Sequence, residues 1–559
     1  MPRENYRVCL CWRRIFKTRV VEPPADVKDA FYSFSPSGMM TVDDLLRFLI
    51  QHQGQKNATM KDAQAIFDTL KHLSVFQRRE LHLDAFFRYL LGDLNLAHPP
   101  PSKHYFLFTG HNSYLTGNQF SSKSSVEPIK GALLRGVRVI ELDLWPSSNG
   151  KDVKVCHGRT LPSSVGLQKC LQAIKENAFK TSEYPVVITF EDHLNPNLQK
   201  KVAKMVTETF GDMLYTNETE NLEQFLSPES LKKTVLISTK PPKEFQNTEG
   251  EEVSENGSET QTNERESSSQ WNPPEDGEHI EDEDEEKVVP EYRHIIAIHA
   301  GKLKGGLENW LSDDPNKARR LSLSEQELEN AVKTHGTKTV MFTQTNLLRV
   351  YPKGMRVGSS NYNPFVRWIH GAQMVAFNMQ GHGKHLWMMQ GMFKANGGCG
   401  YVKKPDFLLQ RGPNDEVFDP SVPPNVKTIL KGKVILGEGW RQDFHHTAFD
   451  CFSPPDFKTE IGIAGAPADK VVKYTATIDD DWLPVWNEEF EFQLRVPELA
   501  VPWIKVLESD AGGSDFGGQA CLPVSELRTG IRAVPLHDKK GNRYNHVRLL
   551  LSIKFEVPL

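Results

Sequence analysis

Five short stretches of the chain end in side chains able to move protons, hold a cation or grip an anion. "FTGHNSYL" carries His111 and Asn112, "VRVIELDLW" carries Glu141 and Asp143, and "VKVCHG" ends in His157. "VVITFEDH" delivers Glu191 and "VLISTK" delivers Lys240. Glu141 and Asp143 are two residues apart, so on a strand both carboxylates point to the same face. With Asn112 and Glu191 they form an all-oxygen donor set without cysteine, the chemistry of calcium or magnesium rather than zinc. Two histidines left off the cation suit proton transfer near neutral pH. Lys240, with arginines further along, suits phosphate. Any one of these groups alone would be ordinary capping or packing. The conjunction describes metal-assisted cleavage of a phosphoester.

For such groups to meet, the strands that carry them must lie parallel, with the same ends together. Each stretch is a short apolar run, and "VEPIKGALLR", "SSVGLQKCLQAIKENAF" and "NLQKKVAKMVTETFGD" between them have helical spacing. Alternating strands and helices imply a parallel α/β barrel, whose active site is built at the C-terminal ends of the strands. The alternation covers residues 104–241 and resumes over 290–411 with "RHIIAIHAG", "TVMFTQTNLLRVYP" and "MVAFNMQG". Between the two halves lies 242–289, too poor in apolar residues to fold. From Glu244 to Lys287 it holds 17 Asp/Glu against 2 Lys/Arg, a net of −15; because the whole chain carries −5, the remainder carries +10. One sheet interrupted by a disordered acidic insert fits this pattern. A basic body implies an anionic partner, and the insert is expected to cover the basic barrel mouth until an anionic membrane repels it.

The flanks read differently. Residues 1–24 form a basic segment in which "YRVCLCWRRIFKTR" mixes cations with bulky apolar groups around Cys9 and Cys11, a pattern open to membrane contact or acylation. Residues 25–101 are helical and laid out like an EF-hand. With Gly38 as the sixth loop residue, positions 1, 3, 5 and 12 are Ser33, Ser35, Ser37 and Asp44, too few carboxylates for calcium, so the lobe is structural. Beyond a proline-rich bridge, 425–559 reads as an all-β sandwich. The seven cysteines, Cys9, Cys11, Cys156, Cys170, Cys399, Cys451 and Cys521, form no CxxC pair, which fits a reducing cytoplasmic setting. No apolar run is long enough to cross a membrane and no secretory leader is evident.

"GHNSYL", "RVIELDLW", "CHGRTL", "YPVVITFEDHL" and "ISTKPPKEF" resemble the X region of eukaryotic phosphoinositide-specific phospholipase C. "LSLSE", "LLRVYPKG", "SSNYNP" and "NGGCGYVKKPDFL" resemble its Y region; "SPPDF", "WNEEFEF" and "LPVSELR" resemble its C2 domain. The order and the partial EF-hand lobe are closest to the plant form. The resemblance implies one TIM-like barrel made of both halves, cutting phosphatidylinositol 4,5-bisphosphate or less phosphorylated relatives to diacylglycerol and an inositol phosphate. It implies a calcium ion held by Asn112, Glu141, Asp143 and Glu191 that acidifies the inositol 2-hydroxyl. Glu141 or Asp143 takes that proton, His111 stabilises the charged phosphorus centre, and His157 protonates the leaving group. Lys240, Ser322 and Arg349 match phosphate-contacting positions, and Tyr351 the aromatic beside the inositol ring. One departure stands out: Ser238 occupies a position where many animal relatives carry a second lysine. In the C2 region Asp450, Asp456, Asp510 and Asp515 match calcium-binding loops, with Ser514 where a further acid is common.

The partner implied is an anionic phosphoinositide membrane, met by a monomer on the cytoplasmic face of the plasma membrane. No nucleic-acid motif is present, and no stable protein partner is indicated. A catalytically silent phosphoinositide-binding scaffold is the alternative, and the survival of both histidines and all four ligand positions argues against it.

Overall fold

Short, fully apolar strands need cover on both faces, and in the computed structural model they obtain it by closing on themselves. The structure describes residues 3–7, 13–17, 22–55, 58–70, 81–91, 106–158, 163–216, 227–240, 289–301, 306–312, 318–412, 415–510 and 513–558. Cys9, Cys11, residues 242–288 of the acidic insert and the side chain of Asp510 lie outside the described residues.

Eight parallel strands form the barrel: β1 (Phe106–Gly110), β2 (Val139–Pro146), β3 (Val186–Asp192) and β4 (Val235–Thr239) from the first half, then β5 (Ile296–His299), β6 (Arg320–Ser324), β7 (Leu347–Tyr351) and β8 (Met374–Phe377) from the second. The halves meet at two seams. Ile237 pairs with Ile296 across β4 and β5, and Met374 pairs with Leu107 across β8 and β1. Closure between β5 and β6 comes from a parallel bridge, Ala300 to Arg320, with the Gly301 N–H donating to Arg320 O (3.1 Å). Among the helices outside are α5 (Glu127–Leu134), α6 (Leu167–Asn177), α7 (Pro196–Phe210) and α8 (Glu325–Thr345). The apolar stretch "TVMFTQT" belongs to α8; the strand begins only at Leu347.

One sequence expectation is corrected here. "VKVCHG" is not a parallel barrel strand: Val153–Val155 pairs antiparallel with the end of β2 and with Val165–Gly166, off the barrel path. Only six residues separate Pro146 from Val153. That is room for a hairpin turn and too little for the dozen or so residues of a parallel crossover. His157 is therefore delivered by a hairpin laid over the rim.

The N-terminal helices α1 (Ala25–Phe34), α2 (Val42–Gln51), α3 (Met60–Leu70) and α4 (Leu83–Leu91) pack Phe31, Phe48 and Phe86 together and continue into Ile435, Leu436, Ile531 and Leu550 of the C-terminal sandwich. Asp44 spends its carboxylate on capping α2, accepting from the Thr41 N–H (3.0 Å), and on pairing with Arg47. It is a helix cap, as a structural EF-like lobe requires. The sandwich holds eight antiparallel strands, β9 (Thr428–Glu438) through β16 (Arg543–Glu556), among them β10 (Phe457–Ala464), β11 (Val471–Tyr474), β12 (Val485–Leu494), β13 (Val501–Asp510), β14 (Gly513–Cys521) and β15 (Gly530–His537). It docks on the barrel through α9 (Lys384–Met392): Gly391 sits so close to Cys521 that an added Cβ would approach it to 2.5 Å, and Trp387 Nε1 donates to Lys539 O (2.8 Å). Among the described residues no helix is long and apolar enough to cross a membrane.

Candidate active site

The C-terminal ends of the strands open into a cavity of about 570 Å³ lined by His111, Glu141, Glu191, Lys240, Arg320, Ser322, Arg349 and Tyr351 among others. That volume lies in the range of small-molecule sites, roughly 300–1,000 Å³. Parallel register explains the convergence. Glu141 and Asp143 of β2 lie opposite Thr189 and Glu191 of β3, so the period-two rule puts all three carboxylates on one wall. One oxygen from each of Glu141, Asp143 and Glu191 lies within 4.8 Å of the others.

The electrostatics of this wall are unbalanced. Burial works to raise the Glu141 carboxyl, but Arg349, His111 and the Asn112 N–H outweigh it and hold it below its ordinary range. Asp143 has less help: burial first, then Glu141 and Glu191, outweigh a Tyr114 hydrogen bond and the Arg349 charge and push it well above the usual carboxylate range. Its Oδ1 is buried without a hydrogen-bond partner. Carboxylates this close repel one another until a cation joins them. The donor set therefore fits a hard divalent cation, with the orphaned Asp143 oxygen its clearest mark.

Asn112 is tied to the same wall through its backbone. In the left-handed region at φ 43°, it turns its N–H to donate to Glu141 Oε2 (3.1 Å). Its side-chain Oδ1 accepts from Tyr114 Oη (3.2 Å) and its Nδ2 donates to Gln119 Oε1 (2.9 Å). His111, the residue before Asn112 at the end of β1, has its Nε2 4.0 Å from Glu141 Oε2. Its Nδ1 meets Asn378 Oδ1 at 2.8 Å, and Gln119 Nε2 donates to that same oxygen (3.0 Å). Asn378 Oδ1 is thus an acceptor, which puts the neutral imidazole's proton on Nδ1 and makes Nε2 its basic nitrogen. Burial lowers the affinity of His111 for a second proton, partly offset by Glu141. His157 does not line the cavity wall; its Nδ1 donates to the Gln119 carbonyl (2.8 Å), which fixes its tautomer in the same way. Gln119 and Asn378 therefore link the two histidines across the β8–β1 seam. Both were missed by sequence reasoning. Asn378 directly follows β8, so the strand-end rule that found Glu191 would have found it; Gln119 lies in a loop without periodic signal.

The cationic wall lies opposite. Arg349, two residues before Tyr351 on β7, is buried and ion-paired with Glu141, its guanidinium 5.4 Å from the Tyr351 ring centre. Ser322 faces Arg349 in the β6–β7 register. Lys240 is exposed at the end of β4. Ser238 is fully buried and donates to Ile298 O (3.0 Å), so it offers the cavity neither charge nor donor. Arg320 also lines the cavity and was not singled out from the sequence, although it precedes Ser322 by two residues and so shares its face. At the mouth, exposed Phe120, Met355 and Val357 ride on two loops joined by the Gln119 N–H donating to Val357 O (2.8 Å). Glu325 anchors the second loop, accepting from Arg356 Nε (2.7 Å) and Nη2 (2.9 Å).

The sandwich loops carry the remaining candidates. Asp450 accepts from the Phe452 N–H (2.8 Å) and Ser453 Oγ (2.6 Å); Asp456 accepts from the Asp480 N–H (2.7 Å). Asp515 is exposed on β14. Burial first, then Asp479, Asp480 and Asp450, raises the Asp456 carboxyl, so Asp479 and Asp480 belong to the same acidic end.

Comparison with known proteins agrees along nearly the whole chain. The profile of the phosphatidylinositol-specific phospholipase C X domain matches residues 99–241, that of the Y domain 296–407, and that of the C2 domain 430–540. Arabidopsis thaliana phosphoinositide phospholipase C 1 is 54% identical over 568 residues, covering 99% of this chain and 100% of that protein. The mouse 1-phosphatidylinositol 4,5-bisphosphate phosphodiesterase delta-3 is 31% identical, covering 97% of this chain and 69% of that one. The crystal structure of L. pealei PLC21 superposes with a TM-score of 0.74 at 24% identity over 96% of this chain and 69% of that chain, a likeness of fold.

Proposed function

This chain belongs to the phosphoinositide-specific phospholipase C family and is a phosphoric diester hydrolase of that type, and we propose that it works calcium-dependently on phosphatidylinositol 4,5-bisphosphate or its less phosphorylated relatives. What supports calcium is the orphaned Asp143 oxygen among three converging carboxylates. Asn112, Glu141, Asp143 and Glu191 would hold the ion, which when bound supplies Lewis acidity toward a hydroxyl and a phosphoryl oxygen. Glu141 takes the proton of the inositol 2-hydroxyl as that oxygen attacks the phosphodiester. His111 hydrogen-bonds the charge that builds on the phosphoryl oxygens. His157 passes a proton to the departing diacylglycerol oxygen, then draws one from the water that opens the cyclic phosphate. Lys240, Ser322, Arg349 and Tyr351 seat the headgroup.

Membrane contact follows from the same face. Phe120, Met355 and Val357 are apolar and exposed beside the cavity mouth, suited to dip between lipids while a ring enters the barrel. The sandwich loops at Asp450, Asp456, Asp510 and Asp515 add a calcium-assisted contact with anionic headgroups. The setting proposed is a monomer on the cytoplasmic face of the plasma membrane. The test is hydrolysis of vesicles carrying mono- or bisphosphorylated phosphatidylinositol across a free-calcium titration, with His157→Ala alongside. Calcium-dependent release of diacylglycerol by the wild type alone is expected. A wild type as inert as the substituted chain would overturn the reading.

A further inference from the structure

Three side chains on one wall of the cavity carry buried donors left without partners. Arg320 is 5% exposed, and its Nε and Nη1 have no hydrogen-bond partner. Two residues on, on the same face of β6, Ser322 Oγ is buried and equally unpartnered; across the register, Arg349 Nε is too. All three residues line the cavity. A guanidinium withdrawn from water without an acceptor is costly, and one exposed to an empty ion pair would collapse onto it. The nearest acid on offer, Glu141, is already engaged by Arg349. The wall is therefore short of an anion with several oxygens.

Its position says which anion. In the eight-stranded ring β6 stands diametrically opposite β2, the strand of Glu141 and Asp143, and three strands from His111 at the end of β1. The scissile phosphodiester must lie beside the histidines and carboxylates. An acceptor reaching Arg320 and Ser322 must lie at the far side of the ring. Lys240 stands on β4, one strand beyond β5, whose bridge at Ala300 adjoins Arg320. Ser238 supplies no cation there.

We propose that Arg320 is a specificity-determining headgroup residue: its guanidinium, with Ser322, receives a monoester phosphate on the inositol ring of the lipid substrate, the charge that Ser238 does not provide. This rests on the phospholipase reading. Planar guanidinium donors match phosphate oxygens in pairs, which a single ammonium cannot do.

The experiment compares wild type, Arg320→Gln and Arg320→Lys on vesicles of phosphatidylinositol and of phosphatidylinositol 4,5-bisphosphate. Isothermal titration with soluble inositol 1,4,5-trisphosphate and with inorganic phosphate runs in parallel. Arg320→Gln is expected to lower kcat/KM on the bisphosphate by roughly 10- to 100-fold, with KM carrying most of the loss. Phosphatidylinositol should change by no more than about threefold, a change that needs no lost hydrogen bond. Arg320→Lys should recover part of the discrimination. The ratio between lipids is measured within one preparation, so a partly misfolded variant leaves it unmoved. Inositol trisphosphate should bind wild type and lose affinity in Arg320→Gln, while inorganic phosphate stays weak with both; tight inorganic phosphate binding would mean a free-anion site and overturn the lipid assignment. An unchanged lipid ratio, or equal losses on both lipids, would overturn the proposal while leaving the phospholipase reading intact. A wild type that cleaves neither lipid would fail the phospholipase reading, and the titration would still decide whether Arg320 binds the ring phosphates.

Discussion

Two acidic clusters mark the molecule, one in the barrel and one in the sandwich, and they are built on opposite plans. In the barrel, Glu141, Asp143 and Glu191 sit at strand ends fixed by register, with Asp143 buried and an oxygen unpaired. In the sandwich, Asp450 and Asp456 already accept donors: Asp450 from the Phe452 N–H and Ser453 Oγ of its own turn, Asp456 from the Asp480 N–H of another loop. A carboxylate whose oxygens already accept loop donors must give up those bonds to bind a cation, whereas Asp143 keeps one buried oxygen with no partner to give up. The contrast separates a preorganised candidate cation site from an adaptable surface one. Asp44 in the N-terminal lobe completes the series, its oxygens committed to a helix cap and to Arg47.

The largest effect should come from the groups that finish the barrel site. His111→Ala and His157→Ala are each expected to lower kcat by about 10²–10⁴-fold with little change in vesicle binding. Asp450→Asn combined with Asp456→Asn should leave turnover of a soluble inositol cyclic phosphate unchanged. Equal losses from both pairs would erase the distinction between the clusters.

Next in size is the calcium requirement. Fewer carboxylates weaken a calcium site, so Asp143→Asn should raise the calcium needed for half-maximal hydrolysis by about tenfold or more. The sandwich double substitution should shift vesicle co-sedimentation, measured against calcium, by only about threefold, because surface charges in water contribute little each.

The smallest effect is on stability. Without calcium, the Asp143 carboxyl binds its proton more tightly folded than unfolded. Across the window from the ordinary carboxylate range up to its raised value, the native state holds more protons, so stability falls as pH rises. In chelator near neutral pH, Asp143→Asn should therefore raise the barrel's Tm by roughly 2–4 °C. Asp456→Asn, at a less buried and partly satisfied site, should move it less. A lowered Tm in Asp143→Asn would mean that the buried acid is stabilising and needs no cation.

Much of this was legible because a strand repeats every two residues. That rule paired Glu141 with Asp143 and Arg349 with Tyr351, and it would have paired Arg320 with Ser322 had the reading of "RRLSLSE" begun one turn of the pleat earlier. The two-seam closure was implied by the resumption of alternating strands after the acidic insert. The antiparallel hairpin before His157 was not legible from the run "VKVCHG" itself, since a buried three-residue strand looks the same in either direction; the short connection after Pro146 held the information. The Gln119–Asn378 link between the histidines depends on two halves of the chain meeting at β8 and β1, which no local pattern records.

The central claim is that the two halves close a rim holding one calcium ion on Glu141, Asp143 and Glu191, with the inositol phosphates turned toward the opposite cationic wall. Crystals grown with calcium and inositol 1,4,5-trisphosphate, measured for anomalous scattering, test it most directly. A calcium peak bounded by those carboxylates and Asn112, with ring phosphates beside Lys240, Arg320 and Ser322, is the predicted result. Calcium found only at the sandwich loops, with the barrel carboxylates unchanged, would contradict it.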